Sequence, residues 1–218
     1  AMKRTNVYID GYNLYYGLLK GTPNKWLDLS CLVKGLLASD HEISTIYYFT
    51  SIITPYPHDA AAIENQNVYL QALATDPLIR IVKGKYTRRA AHLPPTSKRC
   101  QSCDELHNGY VRVVKFEEKQ SDVNLAVSLV LDAAQNKADT FLVITGDSDQ
   151  VGAIEAVRHQ FKKQVVVFNP HKAVSKNLDW AASYYKNIPR DLPAVCQLPE
   201  EISVGKKGHT LRRPERWA

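Results

Sequence analysis

Four aspartates that follow or open apolar segments are the residues in this sequence best suited to chemistry. Asp10, Asp147 and Asp149 each come just after an apolar run, and Asp122 opens a strongly patterned segment. Carboxylates gathered from separate strands repel one another and are costly to desolvate, so a shared site calls for a cation. Hard divalent ions take oxygen ligands. The first hypothesis is therefore a Mg²⁺ or Mn²⁺ site that acts on phosphates.

Taken singly, each of these residues has a simpler explanation. Asp149 or Ser148 can cap the following helix, and Asp122 can interact favourably with a helix dipole. Asn13, close to the first aspartate, can be a polar turn residue. In open parallel sheets, however, ligands bind beyond the carboxyl ends of the strands. The coincidence of several such residues at strand ends favours one shared metal site.

Strand-like and helix-like segments alternate along the chain, which predicts an α/β domain with a mainly parallel sheet. The run at 141–144 is continuously apolar, as expected for a strand that is covered on both faces. The predicted strands are 4–10, 42–53, 78–86, 110–116, 141–144 and 165–168, and the predicted helices are 29–39, 58–74, one that begins at Ser121 and one that contains Val151, Ile154, Val157 and Phe161.

The helix that begins at Ser121 bears directly on the site. Apolar residues recur at helical spacing along this helix, and Asp122 falls on the same stripe at the first turn. The stripe consists of Asp122, Leu125, Ala126, Leu129, Val130 and Ala133. This spacing predicts that Asp122 faces the core side of the helix and points toward the edge of the sheet. The helix dipole would favour its negative charge there.

Length and composition suit one compact domain, since the chain has 218 residues of which 44% are hydrophobic. No apolar run approaches the roughly 18 residues of a membrane span, and no signal-peptide core is evident. We expect a soluble, cytoplasmic protein whose natural chain begins at Met2. Four cysteines are too few for a disulfide scaffold, and Cys31 and Cys196 are interpreted as small core or surface residues.

The net charge of +6 is unevenly distributed. Seven basic and no acidic residues lie between 77 and 103, the tail from 204 is also basic, and eight acidic residues lie between 117 and 155. An acidic centre flanked by basic segments is typical of a metal-dependent enzyme that acts on a polyanion. We expect RNA contacts from Lys83, Lys85, Arg88, Arg89 and Lys119. Ordinary solvated loops are the alternative.

A second group of residues has the chemistry of a zinc site. His92, Cys100, Cys103 and His107 form H-x7-C-x2-C-x3-H, which has competent ligands for tetrahedral Zn²⁺ at an unusual spacing. A lone C-x-x-C is a weak signal. Reduced thiols and a redox disulfide remain alternatives. The Asn108-Gly109 pair next to this group predicts a hairpin turn.

Three segments resemble the signature segments of NYN domains of the PIN-like nuclease superfamily, in the LabA-like branch. They are VYIDGYN at 7–13, EEKQSDVNLA at 117–126 and VITGDSD at 143–149, and the resemblance extends to 47–50, 168–170 and 213–217. It implies a three-layer α/β/α fold and an Mg²⁺- or Mn²⁺-dependent ribonuclease. The matching site residues are Asp10, Asn13, Asp122, Asp147 and Asp149. Gln150 departs from the pattern, where relatives commonly have an apolar residue, and is expected beyond the metal ligands.

On this interpretation the NYN domain covers 3–190, with a hairpin or loop insertion at 87–110 and a basic extension at 191–218. Asp10, Asp122 and Asp147 would be metal ligands, direct or through water, and Asp149 a second ligand or a water-orienting group. Asn13 would contact a phosphate oxygen or a metal-bound water. The sequence gives no oligomeric state, and a homodimer is one option.

Other functions remain in competition. A non-catalytic RNA-binding regulator on the same fold is the main alternative, although such a protein has no evident reason to keep repelling carboxylates. A phosphatase with an aspartyl intermediate would usually carry a second aspartate where this chain has Tyr12. Neither glycine-rich phosphate loop of the nucleotide-binding folds is present.

Overall fold

A computed structural model describes residues 2–53, 60–95, 109–205 and 209–217. It confirms the α/β class. Six parallel strands form the central sheet, in the order β3-β2-β1-β6-β7-β8. They are β1 (Lys3–Asp10), β2 (His41–Thr50), β3 (Ile79–Lys83), β6 (Thr140–Ile144), β7 (Gln164–Asn169) and β8 (Tyr184–Asn187).

Helices cover both faces of this sheet, so the domain has three layers. They are α1 (Gly11–Leu14), α2 (Leu29–Leu36), α3 (Ala60–Leu73), α4 (Ser121–Ala134), α5 (Val151–Glu155), α6 (Lys176–Ala181) and α7 (Leu192–Val195). One π-helical turn, Tyr15–Leu19, extends α1, and another, Ala156–Gln160, extends α5. A 3₁₀ turn, Ser148–Gln150, precedes α5.

The alternation of side chains along the central strands creates two cores. On one face, Val7 and Leu142 pack with Trp26 and α2. On the other face, Tyr8 and Val143 pack with residues of α4 and α5. Strand β6 is buried along its whole length, which is why its sequence is continuously apolar.

The strand order places one crevice at the centre of the sheet. Strands β1 and β6 are neighbours, and the connections run outward from them in opposite directions. This is the point at which open α/β sheets bind ligands, beyond the carboxyl ends of the strands. Asp10 ends β1, and Asp147 follows β6 by three residues. The two aspartates therefore lie at the same edge.

The predicted third strand, 78–86, is two strands in the structure. Strand β3 ends at Lys83, and β4 (Lys85–Leu93) pairs antiparallel with β5 (Val111–Lys119) in a separate hairpin. Gly84 makes this change of direction possible, because a Cβ there would lie 2.6 Å from the carbonyl oxygen of Lys119. The ordered hairpin thus begins before the predicted insertion at 87–110.

The segment after residue 191 packs against the domain. Strands β9 (Glu201–Val204) and β10 (His209–Arg212) form a hairpin whose Leu211 is buried. Cys31 and Cys196 form a disulfide, which corrects their interpretation as separate small residues. The predicted domain boundaries themselves stay predictions. No described helix is both long and apolar enough to cross a membrane.

Candidate active site

The turn from β1 into α1 holds the first carboxylate. Asp10 is 4% exposed and caps α1, accepting a hydrogen bond from the backbone N–H of Asn13 at 2.9 Å. The Asn13 side-chain Nδ2 donates to the other carboxylate oxygen at 2.6 Å. Burial raises the pKa of Asp10, while these hydrogen bonds oppose that shift. The aspartate is therefore held in one orientation at the bottom of the crevice.

Thr145 joins this carboxylate to the end of β6. Its hydroxyl donates to Asp10 Oδ2 at 3.1 Å and accepts from the backbone N–H of Asp147 at 3.1 Å. Asp147 in turn accepts from the backbone N–H of Asp149 at 3.0 Å. The expected proximity of the β1 and β6 carboxylates thus depends on a threonine that sequence reasoning did not select.

Asn13 connects Asp10 to two other loops, and its expected contact with a phosphate oxygen or a metal-bound water stays a prediction. Its Oδ1 accepts from the backbone N–H of Gly146 at 3.2 Å and lies 3.0 Å from His171 Nε2. A Cβ on Gly146 would lie 3.3 Å from that oxygen and closer still to His171. The Asn13 amide therefore links three loops, and His171, which follows β7, is a second site residue that sequence reasoning missed.

Asp122 lies on the first turn of α4, on the same stripe as the buried Leu125 and Leu129, although its own side chain is partly exposed. Burial, followed by the charges of Asp10, Asp147 and Asp149, raises the pKa of Asp122 to about 6. These four carboxylates are therefore close enough to repel one another appreciably.

Gln150, where the chain departs from the family pattern, is a buried residue next to Asp122. It is 1% exposed, and its Nε2 donates to the backbone carbonyl of Asp122 at 3.3 Å. The side chain thus lies under the carboxylates and connects the 3₁₀ turn to α4. This departure from the family pattern concerns the support of Asp122, not contacts to a substrate.

Glu118 is a fifth carboxylate at the site. It lies one residue before the end of β5 and accepts a hydrogen bond from the Ser121 hydroxyl. Burial, with further contributions from Asp10 and Asp122, raises the pKa of Glu118 to about 7. It follows the same rule that selected Asp10, a carboxylate at a strand end, but the predicted strand stopped at residue 116.

The donor set fits a hard divalent cation. Every candidate ligand, Asp10, Asp122, Asp147 and Asp149, offers carboxylate oxygen, the kind of ligand that hard divalent ions take. Across the described ranges, no three acidic, histidine or cysteine side chains are already arranged as a ligand cage. The side chains share a crevice but are not arranged around a common point.

The hairpin separates the predicted RNA-binding cations into two groups. Arg89 and Lys119 lie 3.1 and 3.8 Å from the Glu117 carboxylate, and Lys115 is paired with the same group. Arg88 lies on the opposite strand face, in register with Phe116. That face also carries Tyr86, opposite Glu118. Arg88 therefore shares a face with the active site, whereas Arg89 does not.

The other two predicted RNA-binding cations, Lys83 and Lys85, precede Arg88 and Arg89 in the chain. Lys83 ends β3, Lys85 begins β4, and both are exposed. Of the predicted zinc ligands, His92 lies on β4 and is exposed. Cys100, Cys103 and His107 lie outside the described residues. The zinc site and the RNA contacts therefore stay predictions.

Comparison with known proteins agrees with this geometry. The family model of the NYN domain matches residues 4–189. The chain belongs to the NYN domain family. NYN domains are PIN-like, so the chain contains a nuclease-like α/β domain. A solved structure from Vibrio parahaemolyticus, of a protein of unknown function, has the same fold, with a TM-score of 0.55 at 16% identity over 87% of this chain and 95% of that one.

A curated relative has a different kind of name. The 6-hydroxy-3-succinoylpyridine 3-monooxygenase HspA of Pseudomonas putida is 31% identical, over 98% of this chain and 75% of its own length. The family is nuclease-like, whereas this relative is named as an oxygenase. The choice between the two activities for this chain therefore depends on its own site residues.

Proposed function

We propose that this protein is a metal-dependent ribonuclease that hydrolyses RNA phosphodiester bonds at Asp10, Asp122, Asp147 and Asp149. The observation that carries the proposal is the set of carboxylates that neighbouring strands and Thr145 bring together at the centre of the parallel sheet. Such a set is costly unless it holds a cation. We include in the proposal that the ion is Mg²⁺ or Mn²⁺, that the chain is of the LabA-like branch and that it acts in the cytoplasm.

A bound divalent ion would activate a water molecule and neutralise the phosphate oxygens. The chain itself supplies the rest. Thr145 and Asn13 fix the orientation of the Asp10 carboxylate through hydrogen bonds. Asp122 and Asp147 approach the same crevice from other elements. Glu118, with its pKa near neutrality, is able to take or give a proton close to these groups.

The test is cleavage of a labelled single-stranded RNA with and without Mg²⁺ or Mn²⁺. We expect Asp10→Asn and Asp147→Asn to lower the rate at least about 100-fold, since each removes a ligand charge while the side-chain volume is kept. Asp179→Asn, an exposed aspartate on α6, is the matched control and should retain the wild-type rate. Cleavage by both site variants at the wild-type rate would reject the assignment.

The same experiment tests the non-catalytic alternative. A regulator that only binds RNA would retain RNA and cleave none of it with any divalent ion. Binding of the uncleaved RNA is therefore measured by filter retention in parallel. Binding without cleavage would replace the ribonuclease proposal by the regulator.

The similarity to the Pseudomonas putida enzyme motivates a second candidate, hydroxylation of a heteroaromatic acid. It covers nearly the whole chain at 31% identity. Hydroxylation with O₂ would need two electrons from a reduced nicotinamide or flavin. Oxygen uptake with 6-hydroxy-3-succinoylpyridine and such a reductant tests it. Uptake that depends on the pyridine, in a preparation that does not cleave RNA, would favour this candidate.

A further inference from the structure

A second concave site lies beside the carboxylates and takes no part in the chemistry proposed above. It is a cavity of about 420 Å³, and Gly11, the residue after Asp10, is one of the residues that line it. A volume of this size suits a small molecule or a single nucleotide. Six aromatic side chains contribute to its wall, namely Tyr12, Tyr15, Tyr16, Tyr48, Tyr69 and Trp217.

Packing fixes several of these rings. Tyr69 contacts Trp217 edge-to-face, with ring centroids 5.8 Å apart, and contacts Tyr48 at 6.4 Å in the same manner. The Tyr69 hydroxyl donates to the backbone carbonyl of Leu27 at 2.9 Å. Tyr12 stacks on Tyr16 at 6.3 Å. The wall is therefore formed in advance, and rings of this kind bind planar aromatic groups by stacking.

The charged residues of the cavity all have one sign. Lys25 and Arg216 line it, and no acidic side chain is among its described lining residues. The C-terminal segment that carries Arg216 and Trp217 is held by Arg213, which pairs with Glu200 at 2.9 Å and donates to the Pro23 carbonyl at 2.8 Å. Two cations beside aromatic walls favour a ligand that also carries an anionic group.

The cavity and the carboxylates share one wall. Tyr12 lines the cavity and also stacks on Tyr86, which pairs with Glu118 across the hairpin. Gly11, between Asp10 and Tyr12, lies close to β2, where a Cβ on Gly11 would be 2.7 Å from the Phe49 carbonyl oxygen. A ligand that extends past Tyr12 would therefore reach from the rings to the carboxylates.

We propose that this cavity binds a planar aromatic ring that carries an anionic group. Two sources supply that chemistry: a nucleotide of an RNA strand and a small heteroaromatic acid. The RNA source rests on the proposed ribonuclease function, in which the base in the cavity would neighbour the phosphate at the carboxylates. The binding site itself does not depend on hydrolysis.

The test is calorimetric titration of the whole protein in the presence of a chelator, so that no RNA is hydrolysed. The probes are AMP, UMP, adenosine, inorganic phosphate and nicotinate, a pyridine carboxylate without ribose. We expect a ring joined to an anion to bind about tenfold more tightly than adenosine or phosphate alone, because only such probes use both the rings and the cations. Failure of every ring-bearing anion to bind would overturn the proposal.

Lys25→Gln provides the decisive variant, and Lys34→Gln, an exposed lysine on α2, is its matched control. Lys25→Gln should weaken the anionic probe about tenfold and leave adenosine unchanged, whereas Lys34→Gln should change neither. Equal affinity of Lys25→Gln and wild type for the anionic probe would overturn the proposal. Thermal unfolding of both variants verifies that they fold.

The relative affinities of the probes also show whether the natural ligand is an RNA nucleotide or a heteroaromatic acid. Tight binding of AMP or UMP with weak binding of nicotinate assigns the cavity to RNA, and Lys25→Gln should then raise KM for RNA cleavage at nearly constant kcat. The reverse order of affinities assigns it to a heteroaromatic acid. Both orders support the shared chemistry. Asp10→Asn should lose cleavage and still bind the probe, which separates failure of the ribonuclease proposal from failure of this one.

Discussion

The carboxylate site and the aromatic cavity, which are neighbours at Tyr12, are built in opposite ways. On one side, carboxylates from strand ends are held by hydrogen bonds, and burial together with their like charges raises the pKa of Asp122. On the other side, aromatic rings and two cations line a cavity that includes Trp217 near the end of the chain. The polar side depends on neighbouring strands, whereas the aromatic side depends on packing between distant segments. Substitutions should therefore affect one side without the other, except where the two meet.

Gly11→Ala should have the largest effect, because Gly11 lies between Asp10 of the carboxylate site and Tyr12 of the aromatic cavity. The new Cβ would lie 2.7 Å from a backbone oxygen of Phe49, so the β1–α1 turn would have to move. We expect a loss of about 2 to 3 kcal/mol in the free energy of unfolding, with loss of both RNA cleavage and probe binding. Urea unfolding, cleavage and titration measure the three effects.

Gly152→Ala is the control for this substitution. Gly152 lies in α5, and a Cβ there would contact nothing within 4 Å. That variant should be at least as stable as the wild type, since alanine favours a helix. If Gly11→Ala behaved in the same way, the close approach at Phe49 would have no role in joining the two sides.

Thr145→Val should affect the carboxylate side alone. Valine keeps the shape of threonine but removes the hydrogen bonds to Asp10 and from Asp147. We expect RNA cleavage to fall about 10- to 100-fold, as for other groups that orient metal ligands. Binding of the anionic probe in the cavity should not change.

Thr140→Val, at the other end of the same strand, is the matched control and should retain the wild-type cleavage rate. A Thr145→Val variant that cleaves as fast as this control would show that Asp10 needs no fixed orientation. A Thr145→Val variant with weakened probe binding would show that the two sides are not separable at this residue.

Glu118→Gln tests, through pH, the burial and the neighbouring charges that raise the pKa of Glu118. Folding raises the pKa of Glu118 from 4.5 to about 7, so the folded state binds this proton more tightly than the unfolded state. The stability that this proton contributes is present below pH 4.5 and is lost as the pH rises through about 7. Glutamine does not ionise, so the variant does not lose this stability as the pH rises. Its side-chain oxygen can still accept the hydrogen bond from Ser121.

In the presence of a chelator, Glu118→Gln should therefore match the wild type at about pH 4 and exceed its stability by about 1 to 2 kcal/mol at about pH 8, after allowance for solvent screening. Urea unfolding at the two pH values measures this difference. A variant that is less stable than the wild type at the higher pH would refute the raised pKa of Glu118 in the folded protein.

Arg88→Ala and Arg89→Ala should have the smallest effects, and they extend the comparison to the hairpin. Arg88 shares a strand face with Tyr86, whereas Arg89 is engaged by Glu117 on the other face. Removing one phosphate contact lowers the slope of log affinity against log salt by about 0.7 for single-stranded RNA. We expect that change for Arg88→Ala and nearly none for Arg89→Ala.

Titrations of uncleaved RNA at several salt concentrations, with a chelator present, measure both slopes. If neither variant changed the slope, the hairpin would be excluded from the RNA-binding surface. A larger change for Arg89→Ala than for Arg88→Ala would mean that RNA contacts the face away from the active site.

Residues whose role depends on their own strand could be predicted. The run at 141–144 is apolar throughout because helices cover both faces of β6. Asp10 and Asp147 follow strand ends, and parallel strands bring those ends to one edge. Asp122 was predicted on the stripe of α4 that Leu125 and Leu129 occupy, but the periodicity alone did not show that the Asp122 side chain is exposed.

Residues whose role depends on distant contacts could not be predicted in this way. Cys31 and Cys196 are 165 residues apart in the sequence, and no local pattern connects them. His171 contacts Asn13 because β7 ends beside the crevice. Glu118 was not selected because the predicted strand stopped too early.

By itself, the sequence determined the alternation of strands and helices, the sign of the charge on each segment and the carboxylates available at strand ends. These follow from local periodicity, which burial on a sheet or helix imposes on each element separately. Only the tertiary structure decided which carboxylates meet, which arginine faces the site and that residues 12 and 217 line one cavity. Those outcomes depend on the packing of elements that are far apart in the chain, and local periodicity carries no information about that packing.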